Sequence, residues 1–322
     1  MSEHISRDRR IVSLGGGHGL FQTLRAARSV TRLPITAVVT VADDGGSSGR
    51  IRKELHGIPP GDLRMALAAL SQAGEGDTDW EKILQHRFGG HGALAGHAVG
   101  NLLIAGIAES LGSMQEALDI VADLAGAQGR VLPVCLSPLD IEAEVAGLHD
   151  NPQVMSHIRG QVAVASTPGQ VRRVQLYPAQ PKAHPEALTA IASADIVTLG
   201  PGSWFSSVIP HVLIPEISQG LSNTDATTVV FLNLAAEAGE TAGFSTERHI
   251  QMLGQHAPDL RMDFVVADSH ELRSSSDRRN VERAASQLGA SVVFADVRKK
   301  DRNGHLSELH DPQKVAQVLK QL

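Results

Sequence analysis

Residues 10–41 read RIVSLGGGHGLFQTLRAARSVTRLPITAVVTV, and the order of apolar and small residues in them sets the class of fold. Arg10 to Leu14 is a short apolar run that enters Gly15-Gly16-Gly17-His18-Gly19 directly. The segment LFQTLRAARSV then places Leu20, Leu24 and Ala27 at helical spacing. Ile35 to Val41 is continuously apolar and β-branched, as expected of a parallel strand covered on both faces. Strand, glycine loop, helix and strand make the opening unit of a doubly wound α/β sheet.

The second strand leads into VTVADDGGSSGRIRKELHGIPPGDLR, residues 39–64. Two adjacent carboxylates, Asp43 and Asp44, are followed by Gly45, Gly46, Ser47 and Ser48, read here as a glycine-serine loop. Pro59-Pro60-Gly61 then delivers Asp62 and Arg64, with Asp62 placed to cap the helix LRMALAALSQ. Acid, glycine and hydroxyl groups so concentrated suit a phosphorylated ligand with a metal, the alternative being a polar strand-to-helix loop.

Further along, 74–79 reads as a loop, Trp80–Phe88 as a short amphipathic helix, and Gly96–Leu111 and Ser113–Leu124 as two more. Residues 131–177 are β-rich, with candidate strands Val131–Leu136, Ile141–Ala146, Gln161–Ala165 and Val171–Tyr177, and fit a β-ribbon insertion. Helix 185–193 and strand Ile196–Leu199 precede Gly200-Pro201-Gly202-Ser203. Strand Thr227–Leu232 ends at Asn233, and the loop GETAGFS (239–245) leads to helix 246–256. Strands Phe264–Ala267 and Ser291–Ala295 and helices Arg279–Leu288 and Pro312–Leu322 complete the chain. The expected organisation is a disordered tail over 1–9 and one domain from 10 to 322, with no internal repeat.

Composition narrows the function. The chain has 322 residues, 42% of them hydrophobic, enough for a sizeable core. Its 29 basic and 35 acidic residues give a net charge of −6, which argues against nucleic acid as partner. One cysteine, Cys135, excludes an internal disulfide and a cysteine-cluster metal site. The 15 histidines are scattered and no HExxH occurs, so zinc is not expected. No apolar run reaches a membrane span and no signal peptide is visible at the start, so a cytoplasmic protein with no membrane partner is expected.

In an open parallel sheet, ligands lie beyond the carboxyl ends of the strands. Four strands end in small or polar clusters there: Gly15–Gly19, Ala42–Ser48, Gly200–Ser203 and Asn233. GGGHGL is not a full dinucleotide fingerprint, because Leu20 stands where the third glycine belongs, and there is no P-loop. It still offers bare N–H groups and a helix N-terminus to an anion. His18 either hydrogen-bonds a ligand or caps the helix. Asp43, Asp44 and Asp62 are hard oxygen donors suited to Mg²⁺, or else a turn pair and an N-cap. His97 and Asn101, four apart on one helix face, are either a buried hydrogen-bonded pair or a site wall.

GGGHGL, VTVADDGGSSGRIR, PPGDLR, GHAVGNLLI, GPGSWFSS and NLAAEAGETAGFSTERHI occur in that order. Together they resemble the YvcK/CofD-like family, and its gluconeogenesis-factor (YvcK) branch in particular. The likeness runs from about Arg10 to the C-terminus. It implies a Rossmann-like fold with an inserted helical cluster and nucleotide held across the strand ends. It also implies nucleotide and phosphate contacts at Gly15, Gly16, Gly17, His18, Gly19, Gly200, Pro201, Gly202, Ser203 and Asn233. Asp43, Asp44 and Asp62 would stand where the transferase branch holds its metal, Asp44 and Asp62 as the Mg²⁺ ligands. Ser47, Arg64, His97 and Asn101 would line the second-substrate side. This chain departs from the family pattern at His18, for a usual threonine, at Trp204-Phe205-Ser206, and at Leu309, where a basic residue commonly precedes His310-Asp311.

Two functions follow from the resemblance. The first is a regulatory protein that binds a nucleotide sugar such as UDP-N-acetylglucosamine and is tied to carbon metabolism, cell shape and wall synthesis. It is expected to act through an unidentified protein partner and as a homo-oligomer. The alternative is a Mg²⁺-dependent transferase moving a phospholactyl-type group from a nucleotide diphosphate donor. No organic cofactor is expected. A nicotinamide dehydrogenase is disfavoured by the missing third glycine and by the glycine-serine loop after the carboxylate pair.

Overall fold

The computed structural model describes residues 8–72, 78–151, 154–237, 240–241, 243–272, 274–301 and 303–322. The expected tail 1–9 and the loops 74–79 and 239–245 lie wholly or partly outside them. The strands are β1 (Ile11–Gly15), β2 (Ile35–Val39), β3 (Gly129–Pro133), β4 (Asp140–Ala146), β5 (Met155–Arg159) and β6 (Gln170–Tyr177). They continue with β7 (Ile196–Leu199), β8 (Thr227–Phe231), β9 (Phe264–Asp268), β10 (Ser291–Ala295), β11 (Arg298–Lys300) and β12 (Leu306–His310).

Seven of them form one parallel sheet in the order β10-β9-β8-β7-β1-β2-β3. Its central strands, β1 and β7, are buried at every residue, so helices cover both faces and alternation of polar residues is lost. Helices α1 (Gly17–Arg28), α2 (Gly46–Leu55), α3 (Gly61–Leu70), α4 (Trp80–Gln85), α5 (Val99–Leu111) and α6 (Met114–Leu124) belong to the first half of the chain. The last five lie between β2 and β3 and make the inserted helical cluster. Ser113 caps α6 by accepting the Glu116 N–H at 3.2 Å. No helix among the described residues is long and apolar enough to cross a membrane.

The chain winds outward from β1 twice, first to β2 and β3, then to β7, β8, β9 and β10. The direction reverses between β1 and β7, where the carboxyl ends part and leave a crevice. A buried hydrogen bond from Thr198 Oγ1 to Ser13 Oγ, 2.9 Å, ties the two strands below it. Above it the two glycine loops meet. Gly19 packs so closely on Pro201 that any side chain there would run into the Pro201 carbonyl. Thr23 Oγ1 donates to Gly200 O at 3.3 Å and adds a second tie.

Several expectations fail locally; the helix expected over Trp80–Phe88 ends at Gln85, and the strand expected over Val131–Leu136 is Gly129–Pro133. Gly46–Leu55 is a helix, not a glycine-serine loop, so Ser47 and Ser48 sit in its first turn. Gln161–Ala165 is a short helix, and the strand of that ribbon is Met155–Arg159, giving an antiparallel sheet β5-β4-β6. The helix expected from Gly96 starts at Val99, leaving His97 outside it. The hairpin of β11 and β12 was not anticipated.

Gly19→Ala should lower stability by about 1–3 kcal/mol, since neither backbone can give way cheaply. The check is the urea midpoint at unchanged m-value. An unshifted midpoint would mean that the two loops separate freely.

Candidate functional site

The crevice between β1 and β7 opens into a cleft of about 650 Å³. Its floor is the start of α1, where Gly16, Gly17, His18 and Gly19 face the opening. Opposite stand Pro201, Gly202 and Ser203, followed by a π-helical turn, Trp204–Val208. That turn buries Trp204 and Phe205 in the core and presents Ser206 and Ser207 to the cleft. Gly16 and Asp62 are in such close contact that a side chain at Gly16 would meet the Asp62 carboxylate. Gly15 and Gly200 lie below, at the strand ends, and do not line the space.

Asn233 is a clamp. Its Oδ1 accepts the Gly202 N–H at 3.1 Å and its Nδ2 donates to Gly202 O at 2.9 Å. The same amide reaches Glu237 Oε1 at 3.2 Å, and Glu237 accepts from Ser203 Oγ at 3.0 Å. The Gly200–Ser203 loop is therefore pinned through both the N–H and the carbonyl of Gly202.

The three sequence carboxylates part company. Asp43 lines the cleft, accepting the Gly45 N–H at 2.9 Å. Burial raises its pKa, against the Gly45 and Ser48 hydrogen bonds. Asp62 also lines the cleft. It does not cap its own helix, whose N-cap is Pro60 with no side-chain bond; it accepts from the Gly17 backbone instead. Burial first, and the nearby Asp43 second, push its pKa up to about 7. Asp44 is turned away from the cleft, its Oδ1 accepting the Val162 N–H at 2.9 Å. Ser48 Oγ takes the Gly61 N–H at 2.9 Å and joins the starts of α2 and α3.

Ser47, Arg64, His97 and Asn101 come together, but behind the cleft and not on its wall. Ser47 Oγ meets His97 Nδ1 at 3.0 Å and the Asn101 amide donates to it at 3.0 Å. Arg64 Nε donates to Asn101 Oδ1 at 2.9 Å. All four are buried, and His97 joins Asn101 through Ser47 instead of along one helix face. Burial lowers the pKa of Arg64 to about 10, aided by Arg87, and that of His97, aided by Arg50. His18 is exposed at the rim and caps nothing; the N-cap of α1 is Gly16.

Several lining residues escaped the sequence reading: Gln22, Gln161, Glu237 and Glu308; His310 entered it only as the neighbour of Leu309. Glu308 and His310 come from the β11–β12 hairpin, whose Asn303-Gly304 pair is a turn signal that could have revealed it. His310 Nε2 is buried without a hydrogen-bond partner, and burial lowers the ring pKa to about 4. Four carboxylates line the cleft, Asp43, Asp62, Glu237 and Glu308, and no Lys or Arg does among the described residues. No group of three or more His, Cys, Asp or Glu among them could hold a metal unaided.

The family described as "2-phospho-L-lactate transferase CofD" matches residues 11–306. A Mycobacterium tuberculosis protein named "Putative gluconeogenesis factor" is 54% identical over 309 residues, 96% of this chain and 89% of its own. The "Gluconeogenesis factor" of Listeria monocytogenes is 32% identical over 294 residues, covering 89% of this chain and 88% of its own. A crystal structure of a UPF0052-family member from Bacillus halodurans superposes with a TM-score of 0.83 at 30% identity, covering 97% of this chain and 99% of that one.

The Asp62 environment fixes a sign for pH. Its pKa rises from an ordinary 3.8 to about 7, so the folded protein holds this proton where the unfolded chain has lost it. Between those values stability falls as pH rises; below them the group contributes nothing, and above them the penalty is constant. Asp62→Asn can still accept the Gly17 N–H. It should gain stability over the wild type as pH rises through that window, on the order of 4 kcal/mol for a shift of that size. Urea unfolding of both proteins across the window is the check; an offset independent of pH would contradict the assignment.

Proposed function

The chain belongs to the CofD family, and from that premise we propose that it is a nucleotide-sugar-binding protein of the gluconeogenesis-factor kind. In this reading it couples the level of a UDP-sugar to carbon metabolism and cell-wall synthesis through a protein partner. The observation that carries the proposal is the pair of facing loops, Gly16–Gly19 and Pro201–Ser203, at the reversal of strand order. Their N–H groups and the N-terminus of α1 suit a diphosphate. The Asn233 clamp prepares one side of the site in advance, which lowers the ordering cost of binding. His310, with its unpartnered Nε2, supplies a neutral polar contact at the hairpin side.

The charge balance adds a condition. A diphosphate entering beside four carboxylates, with no Lys or Arg among the described lining residues, meets repulsion that backbone dipoles only partly offset. Asp43 and Asp62 fit Mg²⁺ in the usual manner of that ion, which takes one or two carboxylates together with phosphate oxygens. When bound there, Mg²⁺ would supply neutralisation of the diphosphate charge. Asp44, committed to Val162, is not among the donors in this reading.

The Asp43/Asp62 pair also supports the second reading, a transferase that moves a phosphorus-containing group from a nucleotide diphosphate donor to an acceptor hydroxyl. The raised pKa of both carboxyls is the feature of interest, since groups with displaced pKa values concentrate at reactive sites.

Calorimetric titration with UDP-N-acetylglucosamine, UDP-glucose, GDP and NAD, each with and without Mg²⁺, separates the readings. The expected result is binding of a UDP-sugar, tightened by Mg²⁺, with the ligand recovered intact. Asn233→Ala should weaken it by about tenfold through loss of the clamp on Gly202. Preference for GDP with Mg²⁺ would favour the transferase, and preference for NAD would overturn both.

A further inference from the structure

The antiparallel sheet β5-β4-β6 reaches the cleft through one side chain. Of the described residues that line the space, only Gln161 comes from this insertion. Its position is set from two sides: the Gly160 N–H donates to Ile141 O of β4 at 2.9 Å, and further contacts reach beyond the sheet. The chain turns at Gly160 with φ +105, a value that favours glycine, and a side chain there would also strike the Asp44 carboxylate. Asp44 Oδ1 then accepts the Val162 N–H at 2.9 Å, across 118 residues of sequence. A second tie runs from α2, where Arg52 donates to Asp140 Oδ1 at 2.5 Å while Arg159 holds Asp140 Oδ2 at 2.6 Å. Gln161 is thereby held over the cleft on the side of Asp43, its amide oxygen close to Gly45.

We propose that Gln161 reads the sugar half of a bound nucleotide sugar, and that Asp44 is the positioning residue that holds it there. The proposal rests on the nucleotide-sugar reading above. A side-chain amide offers two donors and two acceptor sites without charge, which matches sugar hydroxyls. It is also a neutral group among Asp43, Asp62 and Glu237, where a carboxylate would add repulsion. Asp44 does not line the space, and one of its oxygens is already engaged by a backbone N–H.

The test compares Asp44→Asn, Asp44→Ala and Gln161→Ala, titrated with UDP-N-acetylglucosamine and with UDP. Asparagine keeps an oxygen for the Val162 N–H, so Asp44→Asn retains the preference for the sugar nucleotide. Asp44→Ala and Gln161→Ala each lower that preference by about tenfold and leave UDP affinity within about threefold. Combining the two adds no further loss, because both remove one contact. Equal loss of both probes in Asp44→Asn would point to a charge or metal role and overturn the proposal, as would an unchanged preference in Gln161→Ala. Hydrogen exchange at the Val162 amide, in protein without ligand, reads the clamp separately. Acceleration in Asp44→Ala but not in Asp44→Asn upholds it, and equal exchange in all proteins overturns it. Failure of the wild type to bind either probe defeats the nucleotide-sugar reading and the role of Gln161, while the exchange result still decides that of Asp44.

Discussion

Everything at the site depends on how closely two backbones approach at the reversal of strand order. β1 and β7 are neighbours in the sheet, yet the chain leaves them toward opposite edges. Their loops must therefore turn toward each other over one crevice, and only Gly19 lets the α1 turn rest on Pro201. The apolar core below is shared by both halves, so the loops cannot drift apart without disturbing it. Asn233, at the end of β8, then fixes Gly202 from the far side. The site is a consequence of the topology, sharpened by a few polar clamps.

Charge is the second organising feature, and it runs against the obvious expectation for a phosphate site. The lining contains carboxylates and histidines, while Arg64 is withdrawn into the network with Ser47, His97 and Asn101. That network stiffens the junction of α2, α3 and α5 directly behind the Asp43/Asp62 pair. Burial then raises the pKa of both carboxyls, so they share their environment with protons or with a cation more readily than exposed carboxylates do.

Much of this was legible in the chain. The β1–α1–β2 unit, the strands Ile196–Leu199 and Ser291–Ala295, and the convergence of Gly16–Gly19, Pro201–Ser203 and Asn233 all followed from local pattern. The failures have physical causes. QVAVA at 161–165 alternates like a strand, but a segment of five residues carries too little period, and its helix is started by Gly160 and capped by the distant Asp44. GSSGRIRKEL lacks an N-cap signal because Gly45 serves without a side-chain bond. Asp62 precedes the apolar run LRMALAALSQ, but α3 starts at Gly61 and so takes Asp62 into its first turn, where the carboxylate accepts the Gly17 N–H. Glu308 and His310 reach the cleft from about 300 residues downstream of α1, a contact that no local pattern encodes.

In the proposed function, the strand-order crevice holds the diphosphate of a nucleotide sugar. A crystal structure of the protein grown with UDP-N-acetylglucosamine and Mg²⁺ tests it most directly. The expected density places the diphosphate between the Gly16–Gly19 and Pro201–Ser203 backbones, the metal on Asp43 and Asp62, and the sugar toward Gln161. A ligand seated elsewhere on the molecule, with the crevice holding only water, would contradict it.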